Sequence, residues 1–380
     1  MPGAPLFLVA QVDSDGLVAT KGLAGILGAD RLLLPLLHFG LVGLFLPLLL
    51  LLVHAGQFRR ESGPAHPIGY KSRMRALIAG ATGFVGRRLA PALAGDGLDV
   101  RCLVRAEAAE AVADLRRAGC EIVEADLSRS GDLAAAMEDV DVAYFLVHMM
   151  GREADYAAAE RRAAERFAEA AKGAGVGHIV YLGGLGDDPT SPHLLSREGT
   201  ARALADHGPP LTYFRAGMIV GAGSESYVLV RDIARRLPAL PDPSWMRTRT
   251  QPIGIRDVIA YLRRAPFVEA AKGREIQIGG PDVLTPFEIV EQAARATGRT
   301  PPRRLPGAGA TPGAVAAAVG TVTTGDRTVA AELTHGLSSD TTVSDSSGAA
   351  LFTDVHPEPL DVILHRALEE DERQTERSRR

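Results

Sequence analysis

The stretch Gly80-Ala81-Thr82-Gly83-Phe84-Val85-Gly86 has the residue types and spacing to hold a phosphate. Glycine lets the backbone turn tightly and approach a ligand. A helix starting just after the turn adds free N–H groups and the positive end of its dipole. The spacing is G-x-x-G-x-x-G, and a glycine triplet alone is a weak signal. Its flanks strengthen it: Met74–Ala79 reads as a buried strand and Arg87–Leu93 as a helix. A dinucleotide is the ligand this pattern predicts. An NAD site usually ends its second strand on Asp or Glu; this chain has Arg105 there. Arginine suits a 2′-phosphate by charge and by its fork of donors, so NADP is preferred over NAD. The plainer reading of Arg105 is an exposed strand-end residue. Asp126-Leu127 is placed to meet the adenine ring, or Asp126 caps a helix. The fourth strand carries Leu146 and His148 at its end, beside the expected nicotinamide. His148 touches cofactor or substrate there, or is structural.

The elements that must position these residues follow from periodicity. Strand-like runs at Met74–Ala79, Asp99–Arg105, Glu121–Asp126, Val142–Val147, His178–Leu182 and Leu211–Arg215 alternate with helical patterns at Glu107–Ala118, Leu133–Glu138 and Arg152–Lys172. The last helix puts Tyr156, Ala159, Ala163, Phe167 and Ala170 on one face, with Glu and Arg on the other. This alternation predicts an α/β doubly wound parallel sheet, an extended Rossmann fold binding ligands at the strand carboxyl ends. After Gly217 the pattern loosens. A strand at Ile276–Ile278 and a helix at Pro286–Thr297 follow, residues 301–325 are poor in signals, and Leu360–Arg380 reads as a charged, fraying helix.

Composition narrows the function. The net charge is −4, aromatic content is 5%, and there is no basic block, so no nucleic-acid partner is expected. The two cysteines, Cys102 and Cys120, form no C-x-x-C pair, and the ten histidines fall in no ligand-like spacing. No metal site is predicted, and a reducing compartment fits.

Leu32 to Val53 contains no Asp, Glu, Lys or Arg and is long enough to cross a bilayer as a helix. Lys and Arg are denser after it than before it, which puts the following domain in the cytoplasm. The competing reading starts the working protein at Met74, as a cytoplasmic enzyme with residues 1–73 an upstream extension. Residues 54–73 read as a linker in either case.

The chain resembles the atypical short-chain dehydrogenase/reductases. The motifs are the glycine turn, Asp126-Leu127, Tyr144–His148 with Met149-Met150-Gly151, Arg215–Ser224, Pro243–Asp257 and Ile278–Pro281. More narrowly it is similar to the NmrA-like and complex-I-subunit-like NAD(P)-binding branch, with its bacterial epimerase/dehydratase-type members. The resemblance spans roughly residues 74–370. It implies a Ser after the fifth strand and a Tyr-x-x-x-Lys pair on the next helix. This sequence departs at both. The Ser region reads Leu182-Gly183-Gly184-Leu185. His193 stands in the tyrosine's place and Arg197 in the lysine's. His193 can act as an acid near neutral pH and Arg197 can grip the ribose; or the catalytic pair is lost and both only bind cofactor or cap a helix.

The expected organisation is an N-terminal segment (1–31), a transmembrane helix (32–53), a linker (54–73), a Rossmann domain (74–220), a small C-terminal substrate lobe with further elements (221–370) and a charged tail (371–380). Ser224, Tyr227, Trp245, Arg247 and Arg249 are the lobe's candidate substrate residues. Two arginines beside a tryptophan suit an anionic or planar group, or make a solvated loop face. The expected function is an oxidoreductase or epimerase-type enzyme on a quinone-like or sugar-like substrate. The alternative is a non-catalytic NADP(H) sensor or a stabiliser of a membrane assembly.

Overall fold

A computed structural model describes residues 73–105, 109–127, 130–149, 155–186, 192–307 and 309–378. The expected membrane span at Leu32–Val53 lies outside the described residues. Among the described residues no helix is long and apolar enough to cross a membrane.

The strands are β1 (Arg75–Ala79), β2 (Asp99–Val104), β3 (Glu121–Glu124), β4 (Val142–Phe145), β5 (His178–Gly184), β6 (Leu211–Ala216), β7 (Ile219–Val220), β8 (Ala239–Asp242), β9 (Ile253–Gly254), β10 (Glu275–Ile278) and β11 (Arg303–Pro306). Seven of them form one sheet in the order β10-β6-β5-β4-β1-β2-β3, every pair parallel. The order reverses between β1 and β4, which opens a crevice at their carboxyl ends. Helices α1 (Gly86–Gly95), α2 (Ala109–Arg117), α3 (Ser130–Ala136), α4 (Tyr156–Gly173) and α5 (Pro192–His207) are the crossovers. Strand side chains alternate between two cores. Ile78, Cys102, Tyr144, Val180 and Phe214 pack on one face, and Leu77, Leu103, Phe145, Tyr181 and Tyr213 on the other. Buried on both sides, the inner strands read as apolar runs, whereas β3 at the edge keeps Glu121 and Glu124 exposed.

The remaining helices are α6 (Glu225–Arg236), α7 (Ile255–Arg264), α8 (Pro286–Ala296), α9 (Pro312–Val322), α10 (Arg327–Gly336), α11 (Ser347–Leu351) and α12 (Leu360–Ser378). α6, α8, α9 and α12 share a third core through Tyr227, Phe287, Val315 and Leu364. Two expectations need correcting here. Residues 301–325 hold β11 and α9, with Thr311 capping α9 at the N–H of Ala314. α12 is anchored, not frayed, over its first half. Leu360, Ile363, Leu364, Ala367 and Leu368 are buried at helical spacing, and Asp371 pairs with Arg231 at 2.5 Å.

Candidate functional site

The glycine turn lies between β1 and α1, and its three glycines have different jobs. Gly80 adopts a φ of +85°, and a Cβ there would stand 2.5 Å from the Leu146 carbonyl oxygen. A Cβ on Gly86 would overlap the Gly80 carbonyl oxygen. Both are required by the fold. Gly83 is different: an added Cβ meets only the Gly80 oxygen, at 3.2 Å, so its outer side is open to a ligand. Among the described residues no acceptor takes the N–H of Phe84 or Val85. Arg88 locks the turn by donating to the Phe84 and Ala222 carbonyls and lying 4.4 Å over the Phe84 ring.

One cavity of about 1290 Å³ starts at this turn. Gly80, Thr82, Gly83, Phe84 and Val85 line it, as do Arg105, Asp126, Leu127, Leu146, His148, His193, Arg197 and Ser224. Gly86 lies beneath, outside the lining. At the β2 end, Arg105 is exposed and faces the same cavity as Arg162 of α4; neither has an ion-pair partner among the described residues. Arg166 donates to the Leu127 carbonyl at 2.8 Å and holds that loop in place.

At the other end, His193 and Arg197 sit one turn apart on α5 and both line the cavity. Burial lowers the His193 pKa below the usual histidine value. It also lowers Arg197 to about 10, which leaves the guanidinium charged at neutral pH. Beneath them lies Glu160 of α4, a residue that sequence reasoning assigned to the solvent face. It is 2% exposed. It accepts from the Met149 N–H at 3.0 Å and the Thr200 hydroxyl at 3.2 Å, 3.7 Å from Arg197 Nη1 and 3.9 Å from His148 Nδ1. Burial pushes its carboxyl up to about 7, and the two hydrogen bonds pull it back. Its spacing, four residues after Tyr156 and three before Ala163, was the available signal.

The room for a serine at the end of β5 is taken. A Cβ on Gly183 would fall 2.7 Å from Cε2 and 2.8 Å from the hydroxyl of Tyr213. The loop that follows is held by Arg215, which donates to the Gly184 and Gly186 carbonyls and pairs with Glu275 at 2.6 Å.

The structure divides the candidate substrate residues. Ser224 lines the cavity, but its hydroxyl caps α6 at the Tyr227 N–H and donates to the Ile219 carbonyl. Tyr227 is 1% exposed and points into the lobe core. Trp245 packs on that core and donates to the Ala310 carbonyl at 2.8 Å. Arg247 and Arg249 are exposed, near Asp242 and Glu288. None of these last four lines the cavity.

A dinucleotide fits these residues. Arg197 Nη1 and His148 Nδ1 are buried without a hydrogen-bond partner among the described residues, beside a turn with open amides and a cation pair at the far end. A family model described as NAD(P)H-binding matches residues 80–218. A (4-alkanoyl-5-oxo-2,5-dihydrofuran-3-yl)methyl phosphate reductase of Streptomyces griseus is 31% identical over 233 residues, 59% of this chain and 74% of that protein. A ceramide reductase of Caulobacter vibrioides is 29% identical over 233 residues, 59% of this chain and 71% of that one. An Escherichia coli NADPH-dependent quinone oxidoreductase, solved with NADPH, superposes with a TM-score of 0.62 at 19% identity, over 77% of this chain and 98% of that chain. At that identity the likeness speaks for the fold.

Proposed function

We propose a reductase function on one premise: the chain belongs to the atypical short-chain dehydrogenase/reductase family, in its NAD(P)-binding, NmrA-like and complex-I-subunit-like branch. The reaction is reduction of a carbonyl group on a small molecule, with NADPH favoured over NADH. When bound, the reduced nicotinamide supplies the hydride. The protein does the rest. The turn at Gly80–Val85 receives the pyrophosphate, and Arg105 with Arg162 receives the 2′-phosphate. Arg197, which lies 3.7 Å from Glu160, grips the nicotinamide ribose. His193 gives the proton that the carbonyl oxygen needs as the hydride reaches its carbon.

The observation that carries this reading is the placement of His193 and Arg197 on successive turns of α5, lining the same cavity as the glycine turn. His193→Phe should lower kcat by about 10²- to 10⁴-fold with NADPH affinity unchanged. Full turnover in that variant would remove His193 from the mechanism. Because burial lowers its pKa, turnover should fall as pH rises through a midpoint below the usual histidine value.

A second reading, an NADP(H)-binding sensor without turnover, is favoured by the missing serine hydroxyl at Gly183 and Gly184. NADPH binding with no oxidation by any carbonyl or quinone would select it. We also place the protein at the cytoplasmic face of a membrane, on the uncharged run at Leu32–Val53. Recovery of the full chain in the soluble fraction alone would refute that placement.

A further inference from the structure

The cavity is larger than its cofactor end needs. Ligand sites are typically about 300–1,000 Å³, and this one reaches about 1290 Å³. The surplus lies between α6, α8, α9 and α10. Its walls are aliphatic: Leu229, Ile233, Ile289, Val290, Val315 and Val319. We infer that this chamber is a hydrocarbon-chain site, and that the substrate carries a saturated chain running into it from the reacting carbonyl. The carbonyl end of this statement rests on the reductase reading; the chamber does not.

Three features choose a chain over a sugar or a planar ring. Three polar groups on the wall, on Thr334, Asp326 and Glu225, are spent on the protein itself. The Thr334 hydroxyl donates to the Ala330 carbonyl at 2.8 Å, and the Asp326 carboxylate accepts from the N–H groups of Thr328 and Val329 at 2.7 and 3.2 Å. A sugar would leave its hydroxyls unpaired against such a wall. The aromatic ring at this end is Phe287, 2% exposed and covered by Arg304 at 4.1 Å, so no open face is offered for stacking. Aliphatic walls facing empty space lack dispersion contacts that a chain would restore. The chamber also meets the chemistry at the right place. α10 abuts the proton donor, where a Cβ on Gly336 would lie 3.2 Å from His193 Cε1.

The single tryptophan makes a probe. Trp245 packs on the lobe core next to Met246, which lines the cavity. Its fluorescence is followed in the full chain during titration with 2-alkanones, from 2-hexanone to 2-tetradecanone, with and without NADP⁺; isothermal titration repeats the series. Affinity should rise about fourfold per methylene until the chamber is full, then level. Val315→Phe and, independently, Ile289→Phe should bring the plateau to shorter chains. A flat series, or a rise that neither folded variant alters, would overturn the chamber assignment. An NADPH titration of the same sample separates the two claims. Lost NADPH binding with an intact chain series contradicts the reductase reading alone, and NADPH binding with a flat chain series contradicts the chamber alone.

Discussion

Glu160 Oε1 lies 3.7 Å from Arg197 Nη1, so a buried carboxyl group on α4 stands beside the cation that α5 presents to the cavity. Burial raises the Glu160 carboxyl to about 7. Between the ordinary glutamate value and about 7, the folded protein keeps a proton that the unfolded chain has released. Stability contributed by Glu160 therefore falls as pH rises through that window, by up to about 3 kcal/mol. Glu160→Gln removes the titration. Denaturant midpoints from about pH 4 to pH 8 should show the variant gaining on the wild type as pH rises; parallel curves would contradict the assignment.

The glycine turn separates ligand from fold. Gly83→Val puts a side chain into the open side of the turn and should weaken NADPH by at least about 100-fold with the far-UV spectrum intact. Gly86→Ala drives a methyl into the Gly80 carbonyl and should cost about 1–3 kcal/mol of stability. Unchanged NADPH affinity in Gly83→Val would refute the phosphate assignment.

On the proposed reading, Arg105 sets the choice of cofactor. Removing a charge-assisted contact costs about 1.5–3 kcal/mol. Arg105→Asp should weaken NADPH by about 10- to 100-fold and leave NADH nearly unaffected. Equal changes for the two nucleotides would assign Arg105 to general attraction instead.

Tyr227 was a substrate candidate by sequence, and its hydroxyl is buried with no partner among the described residues. Tyr227→Phe deletes that hydroxyl without leaving a partner behind. Stability should hold or rise slightly and kcat/KM should not move. A loss of turnover would return Tyr227 to the site.

The inner strands were legible because strands buried on both faces are written as apolar runs, edge strand β3 only through Ile122-Val123 between exposed Glu121 and Glu124, and β1 to α1 because the turn needs glycine at Gly80 and Gly86. His193 and Arg197 were legible only through the resemblance, which sets them in the places of the family's tyrosine and lysine; both line the cavity. Glu160 was not, because acidic residues on amphipathic helices usually face water, and this one is inside only because Arg197, Met149 and Thr200 arrive from other elements. α9 was missed for a different reason. Its alanine, glycine and threonine content carries little periodicity, although Thr311-Pro312 is a helix-start signature. Tyr227 was misplaced because an aromatic hydroxyl in a lobe suggests a ligand, whereas Tyr227, Val230 and Ile233 repeat at three-residue spacing on the inner side of α6.

The most direct measurement mixes the full chain with NADPH in a stopped-flow instrument and follows nicotinamide absorbance after a long-chain methyl ketone is added. On the proposed reading NADPH binds tighter than NADH, and a single-turnover loss of absorbance follows that His193→Phe slows. Tight NADPH binding with no loss of absorbance, across carbonyl and quinone acceptors alike, would contradict it and leave a cofactor sensor.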